Sequence, residues 1–322
     1  MRKRLLLLSL VGVMAGCNPP ASPNASSDAP KKRFKVGVSI PAADHGWNAG
    51  LKYWADAASK ANPDIDWTVQ DFKSSSDQIA SLENMGTQGM DALVIVAPDS
   101  AAVTPIAEKL HEKGILIVNV SGGFTKPVAD MFIEGDNKAF GRKSGEFMVQ
   151  KLGGKGKIAI LEGTPCTVNT DRVNAFKDAL KGSGVQIVGD GVGEWNRAKA
   201  EATMQNILTA NPQLDAIWAA DDDMALGVES ALKSHGRDKN IWILGGGGMK
   251  DIVKRVMDKD PLFPGDITYP PSMIGIGIQT AAAMLREGKD KAKQFNPRHT
   301  VIDLDAITPE NAKDFYFPNS IY

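Results

Sequence analysis

Along this chain, short apolar runs alternate with longer stretches in which apolar residues recur every third or fourth position. Lys35 to Ile40 (KVGVSI) reads as a strand, and Trp47, Leu51, Trp54, Ala55 and Ala58 then share one face of a helix. Asn62-Pro63-Asp64 stops that helix, since proline cannot continue it and asparagine and aspartate favour turns. A strand over 67–72, a helix over 76–88, a strand over 92–96, a helix over 100–113 and a strand over 115–120 are expected next. The runs ALVIV and ILIVNV are almost wholly apolar, the pattern of parallel strands covered on both faces.

The alternation then restarts. Asp136-Asn137 can cap a helix over 138–152, because a short polar side chain satisfies the free amides there. Strands over 157–161, 186–188, 216–219 and 241–244 interleave with helices over 170–181, 197–209 and 223–233. The junctions Asn62-Pro63-Asp64-Ile65-Asp66 and Asn211-Pro212-Gln213-Leu214-Asp215 echo each other between the two sets. Repeated right-handed βα units predict an α/β chain of two doubly wound parallel-sheet lobes. Their cleft should lie beyond the carboxyl ends of the strands.

Composition narrows the function classes. The length of 322 residues suits two domains. The 37 basic and 38 acidic residues nearly cancel, so no nucleic-acid partner is expected. Met1-Arg2-Lys3-Arg4, the apolar run Leu5 to Val13 and then Met14-Ala15-Gly16 describe a secretory signal, too short to remain as a membrane span. Its Ala-Gly-Cys ending resembles the lipobox of bacterial lipoproteins, with Met14 standing where leucine is usual. That resemblance implies a signal peptide over 1–16, lipid on Cys17 and a periplasmic or cell-envelope location on a membrane anchor. Residues 17–32, rich in Pro, Ser, Asn and Ala, read as a flexible tether. With Cys17 lipidated, Cys166 has no disulfide partner in the chain and reads as a small buried residue.

The run Ala219-Ala220-Asp221-Asp222-Asp223-Met224-Ala225-Leu226-Gly227, with Asn206 to Pro212 before it, resembles the signature of ribose-type periplasmic sugar-binding proteins. Glu134-Gly135-Asp136-Asn137 followed by Gly141 and Gly145 is similar to that family's first crossover. Leu161-Glu162-Gly163, followed by Asp171-Arg172 and Phe176, also fits. The resemblance runs from about Lys35 to Gly288 and implies the type I periplasmic binding protein fold, two lobes joined by a three-strand hinge. The crossings should fall near Asp136, Thr268 and Phe295. One lobe would then hold 33–136 plus 268–296, and the other 137–267 plus 297–322. The family supplies the substrate-binding component of carbohydrate ABC importers, which delivers its ligand to membrane permease subunits. A monomer without cofactor or metal is expected. Repressors of this fold carry a helix-turn-helix in front, where this chain has a signal and tether.

A sugar offers C–H faces that pack on aromatic rings, and hydroxyls that need donors and acceptors in fixed directions. By the resemblance, Trp47 in the loop after the first strand stacks on the ligand from one lobe and Trp195 from the other. Trp47 could equally open the core stripe of its helix. Asp44, His45 and Asn48 share that loop. Arg172 matches an arginine of the family, and its rigid fork of donors suits adjacent hydroxyls. Asp221 matches a ligand-facing position, Asp222 is expected to cap the next helix, and Tyr269 stands where the family has glutamine. Three successive aspartates could suggest a metal, but consecutive strand-end residues rarely converge on one ion. The family's Asp-Arg pair falls at Ser121-Gly122 and a second Asp at Gly247, so two carboxylates that grip sugar hydroxyls are absent. The vacated space would suit a differently shaped or larger ligand, with Asp44, Asn119, Ser121 and Lys250 taking over some bonds. The run Gly245 to Gly248 could instead cradle a phosphate, or Lys250 could meet a sugar acid. The four histidines are scattered and no nucleophile–base pair is visible, which argues against an enzyme. The expected ligand is a monosaccharide, related polyol or sugar acid. A sensory ligand-binding component, or more remotely a hydrolase, are the alternatives.

Overall fold

The computed structural model describes residues 33–288, 290–291 and 298–322. The signal, Cys17, the tether and Phe295 lie outside the described residues. The first sheet has the order β11-β5-β4-β3-β1-β2 and the second β7-β6-β8-β9, all pairs parallel. In the first sheet these are β1 (Phe34–Pro41), β2 (Ile65–Phe72), β3 (Ala92–Val96), β4 (Leu116–Val120), β5 (Met131–Gly135) and β11 (His299–Ile302). In the second they are β6 (Lys155–Glu162), β7 (Gly184–Val192), β8 (Ala216–Ala219) and β9 (Trp242–Leu244). Every residue of β3, β4 and β8 is buried, which explains their unbroken apolar sequence.

Helices cover the faces of both sheets. Their starts follow short polar side chains: Ser74 accepts from Asp77 N, Asp99 from Ala102 N and Asp136 from Ala139 N. In the first half, α1 (Gly46–Lys60) packs beside α9 (Met273–Glu287), which also lies on β3 and β4. In the second half, Phe176 and Trp218 stack in the core with ring centroids 4.1 Å apart, both fully buried.

The chain leaves the first sheet at Asp136, returns past Thr268 to α9 against it, and leaves it again between β11 and β12 (Ala306–Ile307), which lies in a separate two-stranded sheet. Strand β12 pairs antiparallel with β10 (Asp266–Ile267). The third passage is therefore at residues 303–305, later than the expected crossing. Strand β11 extends the first sheet along β5, so 299–302 do not belong with the second half as the sequence boundaries had it. The strand lies at a sheet edge, where backbone pairing rather than an apolar pattern places it. Strand β5 was likewise not anticipated.

Two helices of the second half approach closely. Gly141 and Gly145 lie one turn apart on α4 (Asn137–Lys151), facing α5 (Thr167–Ala179). A Cβ at Gly141 would fall 2.0 Å from the Arg172 carbonyl oxygen, and one at Gly145 would fall 2.6 Å from Ala179 Cβ. The obstacle at 141 is backbone, which cannot swing away, so Gly141→Ala must push the helices apart. It is expected to cost about 1–3 kcal/mol, read as a lower urea midpoint at unchanged m.

A candidate ligand cavity between the two halves

A cavity of about 120 Å³ lies where the strand ends of both sheets face each other. The loop after β1 and the start of α1 bring His45, Trp47 and Asn48 to it. Ser121 follows β4, Arg172 lies on α5, Trp195 follows β7, Asp221 follows β8, Gly247 follows β9 and Tyr269 follows β10. The structure thus brings nine sequence candidates onto one cavity. Asp44 and Lys250 are not among the lining residues.

Trp47 Nε1 donates to the Tyr269 carbonyl at 2.9 Å, and the two rings tilt together with centroids 5.7 Å apart. The Tyr269 hydroxyl lies 3.1 Å from Ser121 Oγ. Trp195 reaches the cavity through a strained turn: Glu194 and Trp195 have φ of 53° and 58°, and Ser121 has 69°. Non-glycine residues in this left-handed region cost free energy and gather at functional sites. The Trp195 indole lies against Gly163, where a Cβ would meet the ring at 2.0 Å.

Arg172 is 3% exposed. Its Nε donates to Asn137 Oδ1 at 3.0 Å and its Nη1 to the Ala220 carbonyl at 2.7 Å. Its guanidinium lies 3.9 Å from the Phe140 ring centroid and 4.2 Å from that of Tyr269. Among the described residues no carboxylate is within ion-pair distance of it. Burial lowers its pKa, partly offset by Tyr269 and Asp221.

The three aspartates diverge. Asp221, not Asp222, caps α7 (Asp222–Ser234), accepting from Met224 N at 2.7 Å. Its extended backbone turns its carboxyl over the helix end, and burial raises its pKa to about 6 against the pull of His45 and Arg172. Asp222 accepts from Gly246 N and from Met249 N, both at 2.8 Å. Beside it, Asp266 accepts from Gly248 N at 3.1 Å and from Ile267 N at 2.8 Å. Both carboxyls are fully buried, and burial and their mutual repulsion raise the pKa of Asp222 well above the usual range. Asp223 crosses to the first half, accepting from Gly46 N at 2.9 Å and from Arg197 Nη2 at 3.0 Å. His45 Nδ1 lies 3.4 Å from it. Burial alone would lower the His45 pKa, but Asp223 and the charges of Asp221 and Asp44 reverse this and raise it.

Several expectations change. The glycine run cradles no phosphate: Gly246, Gly248 and Met249 amides are held by carboxylates, and Gly247 N donates to the Ile267 carbonyl at 2.6 Å. Lys250 does not turn inward, because its Nζ donates to the Ser320 carbonyl at 2.8 Å. Asp44 is exposed and accepts from Asn48 Nδ2 at 3.0 Å, which positions that amide instead. Asn119 spends its amide on the Ile95 and Gly122 carbonyls. The space at Gly247 is not left to a ligand, since the Tyr322 hydroxyl occupies it. Tyr322 and Cys166 line the cavity and were missed. The aromatic-rich end of the sequence (Phe315, Tyr316, Phe317, Tyr322) was the available signal for the first. Cys166 is half-buried, and burial pushes its thiol pKa up, so no nucleophilic role follows.

Residues 36–290 match the model of the periplasmic binding protein domain. The chain is 32% identical to the D-ribose/D-allose-binding protein of Pseudomonas aeruginosa, over 67% of this chain and 70% of that one. It is 28% identical to the ribose import binding protein of Bacillus subtilis, over 91% and 95%. Among solved structures, an ABC transporter solute-binding protein from Mycobacterium smegmatis with bound glycerol is similar at a TM-score of 0.80 and 27% identity, covering 88% of this chain and 96% of that one. These are binding proteins, not enzymes.

The buried carboxyl pair gives a pH test. A carboxyl whose folded pKa is raised stabilises fully below its unfolded value, near 4, and loses that contribution as pH rises through the folded value. For Asp266 that folded value is about 7. Asp266→Asn gives up one accepted hydrogen bond but never ionises. Its stability deficit against wild type should therefore shrink as pH is raised from 5 to 8, read by urea midpoints. A deficit independent of pH would contradict the raised pKa of Asp266.

Proposed function

This chain belongs to the periplasmic binding protein family, and we propose that it is the substrate-binding component of a carbohydrate ABC importer. The observation that carries the reading is a desolvated Arg172 without a carboxylate partner among the described residues, set in a cavity walled by Trp47, Trp195 and Tyr269. A buried guanidinium without a counter-ion calls for strong acceptors, and a sugar or polyol offers them in adjacent pairs. The rings would take its C–H faces. Asp221, His45, Asn48 and Ser121 would complete the hydroxyl contacts.

The ligand would sit between halves that close about the three passages, so that both touch it only in the closed state. The closed form would then dock on permease subunits of the membrane. Cys17, with lipid attached, would tether the protein to a membrane, and residues 17–32 would keep the cavity near its partner at raised effective concentration. A monomer serves that role.

A thermal-shift series over pentoses, hexoses, polyols and sugar acids tests the reading. A ligand at about 100 times its Kd should raise the melting temperature by roughly 5 °C, and be recovered chemically unchanged. Trp195→Ala should abolish that rise. Stabilisation by non-carbohydrates alone would overturn the function, and an unchanged rise in the variant would remove Trp195 from the site.

A further inference from the structure

Tyr322 reaches the cavity from a segment outside both parallel sheets. A Cβ built on Gly247 would fall 1.9 Å from the Tyr322 hydroxyl and 2.9 Å from Asp222 Oδ2. The phenol therefore stands where a side chain at 247 would stand. On its other side it meets α1, where Cβ atoms at Gly46 and Gly50 would each fall 3.3 Å from it. These glycines are one turn apart and bare one face of the helix to receive the residue. Tyr322 is 7% exposed. Lys250 fixes the path of the segment through the Ser320 carbonyl, and Tyr322 N donates to Ser320 Oγ at 3.2 Å.

We propose that Tyr322 is the specificity-determining residue of this cavity, closing the end that position 247 leaves open and selecting short, neutral polyhydroxylated ligands. The proposal rests on the carbohydrate-binding reading. A carboxylate at 247 would only accept, and could grip two hydroxyls at once. A phenol donates once, accepts, and presents an aromatic wall. Burial and the surrounding Asp222, Asp221, Asp266 and Asp223 hold it in the neutral form. The ring takes room that a longer ligand needs, and the nearby carboxylates disfavour a ligand carboxylate at this end. Tetritols, pentitols and pentoses fit these terms better than hexoses or sugar acids.

Titration calorimetry on the full chain with erythritol, xylitol, ribose, glucose and gluconate provides the test. Wild type should prefer the first three. Tyr322→Phe keeps the ring and its packing and should weaken the best ligand about tenfold, the worth of one neutral hydrogen bond. Tyr322→Ala opens the cavity end and should shift preference toward glucose. Lys250→Met, outside the cavity, frees the segment and should shift preference the same way, which keeps the test open if Tyr322→Ala fails to fold. An identical ranking in wild type and all folded variants overturns the proposal while leaving carbohydrate binding intact. A wild-type preference for glucose or gluconate also overturns it. Binding of none of the five overturns this proposal, and the thermal-shift series then decides whether carbohydrate binding stands.

Discussion

The site depends on three consecutive carboxylates that serve three different structures. Asp221 closes the end of α7 and borders the cavity, Asp222 gathers the glycine loop, and Asp223 reaches the first half at Gly46 while it pairs with Arg197 of its own half. Successive residues at a strand-to-helix turn point in different directions, so one short run can fix a wall, a loop and a cross-cleft contact together. The cost is electrostatic. Packing Asp222 against Asp266 in the interior disfavours two charges and raises the pKa of both carboxyls.

That arrangement also decides what the glycine loop does. Glycine at 246 admits the Phe140 ring, which a Cβ would meet at 2.0 Å, and glycine at 247 admits Tyr322. The loop is thus small for the sake of protein neighbours, and its amides are already committed. The amides of Gly246, Gly247, Gly248 and Met249 offer an anion no donor, and two buried carboxyls stand behind them. Arg172, by contrast, is placed by neutral partners: the Asn137 side chain, the Ala220 carbonyl and two aromatic rings. Its charge remains available to whatever fills the cavity.

Much of the fold was legible because buried parallel strands and amphipathic helices leave strong periodic signals, as at 92–96, 116–120 and α1. Strands β5 and β11 were not, since their residues alternate in burial or lie at an edge and pairing alone defines them. The cavity's strand-end residues could be found from the resemblance to the ribose-type family together with the rule that ligands bind beyond strand ends. Lys250 and Asp44 could not be excluded, because direction of a side chain is set by tertiary partners such as Ser320 and Asn48. Tyr322 follows no periodicity; only three-dimensional packing brings it back to Gly46, Gly50 and Gly247.

Among the contacts that join the halves across the cleft are two direct hydrogen bonds, Gly46 N to Asp223 and Gly123 N to Thr167 Oγ1 at 3.1 Å. Each is a hydrogen bond whose donor and acceptor would be hydrated in an open form, so its net worth is about 1 kcal/mol, or somewhat more where a carboxylate accepts. Such contacts guide closure without locking it. A ligand can shift the balance only by its differential affinity for the two states. The residues able to supply that difference come from both sides, with Trp47 from the first half and Arg172 and Trp195 from the second. A ligand held by all three loses one group of contacts as soon as the halves part. Closure and binding would then be a single equilibrium, set by the ligand's differential affinity for the two states.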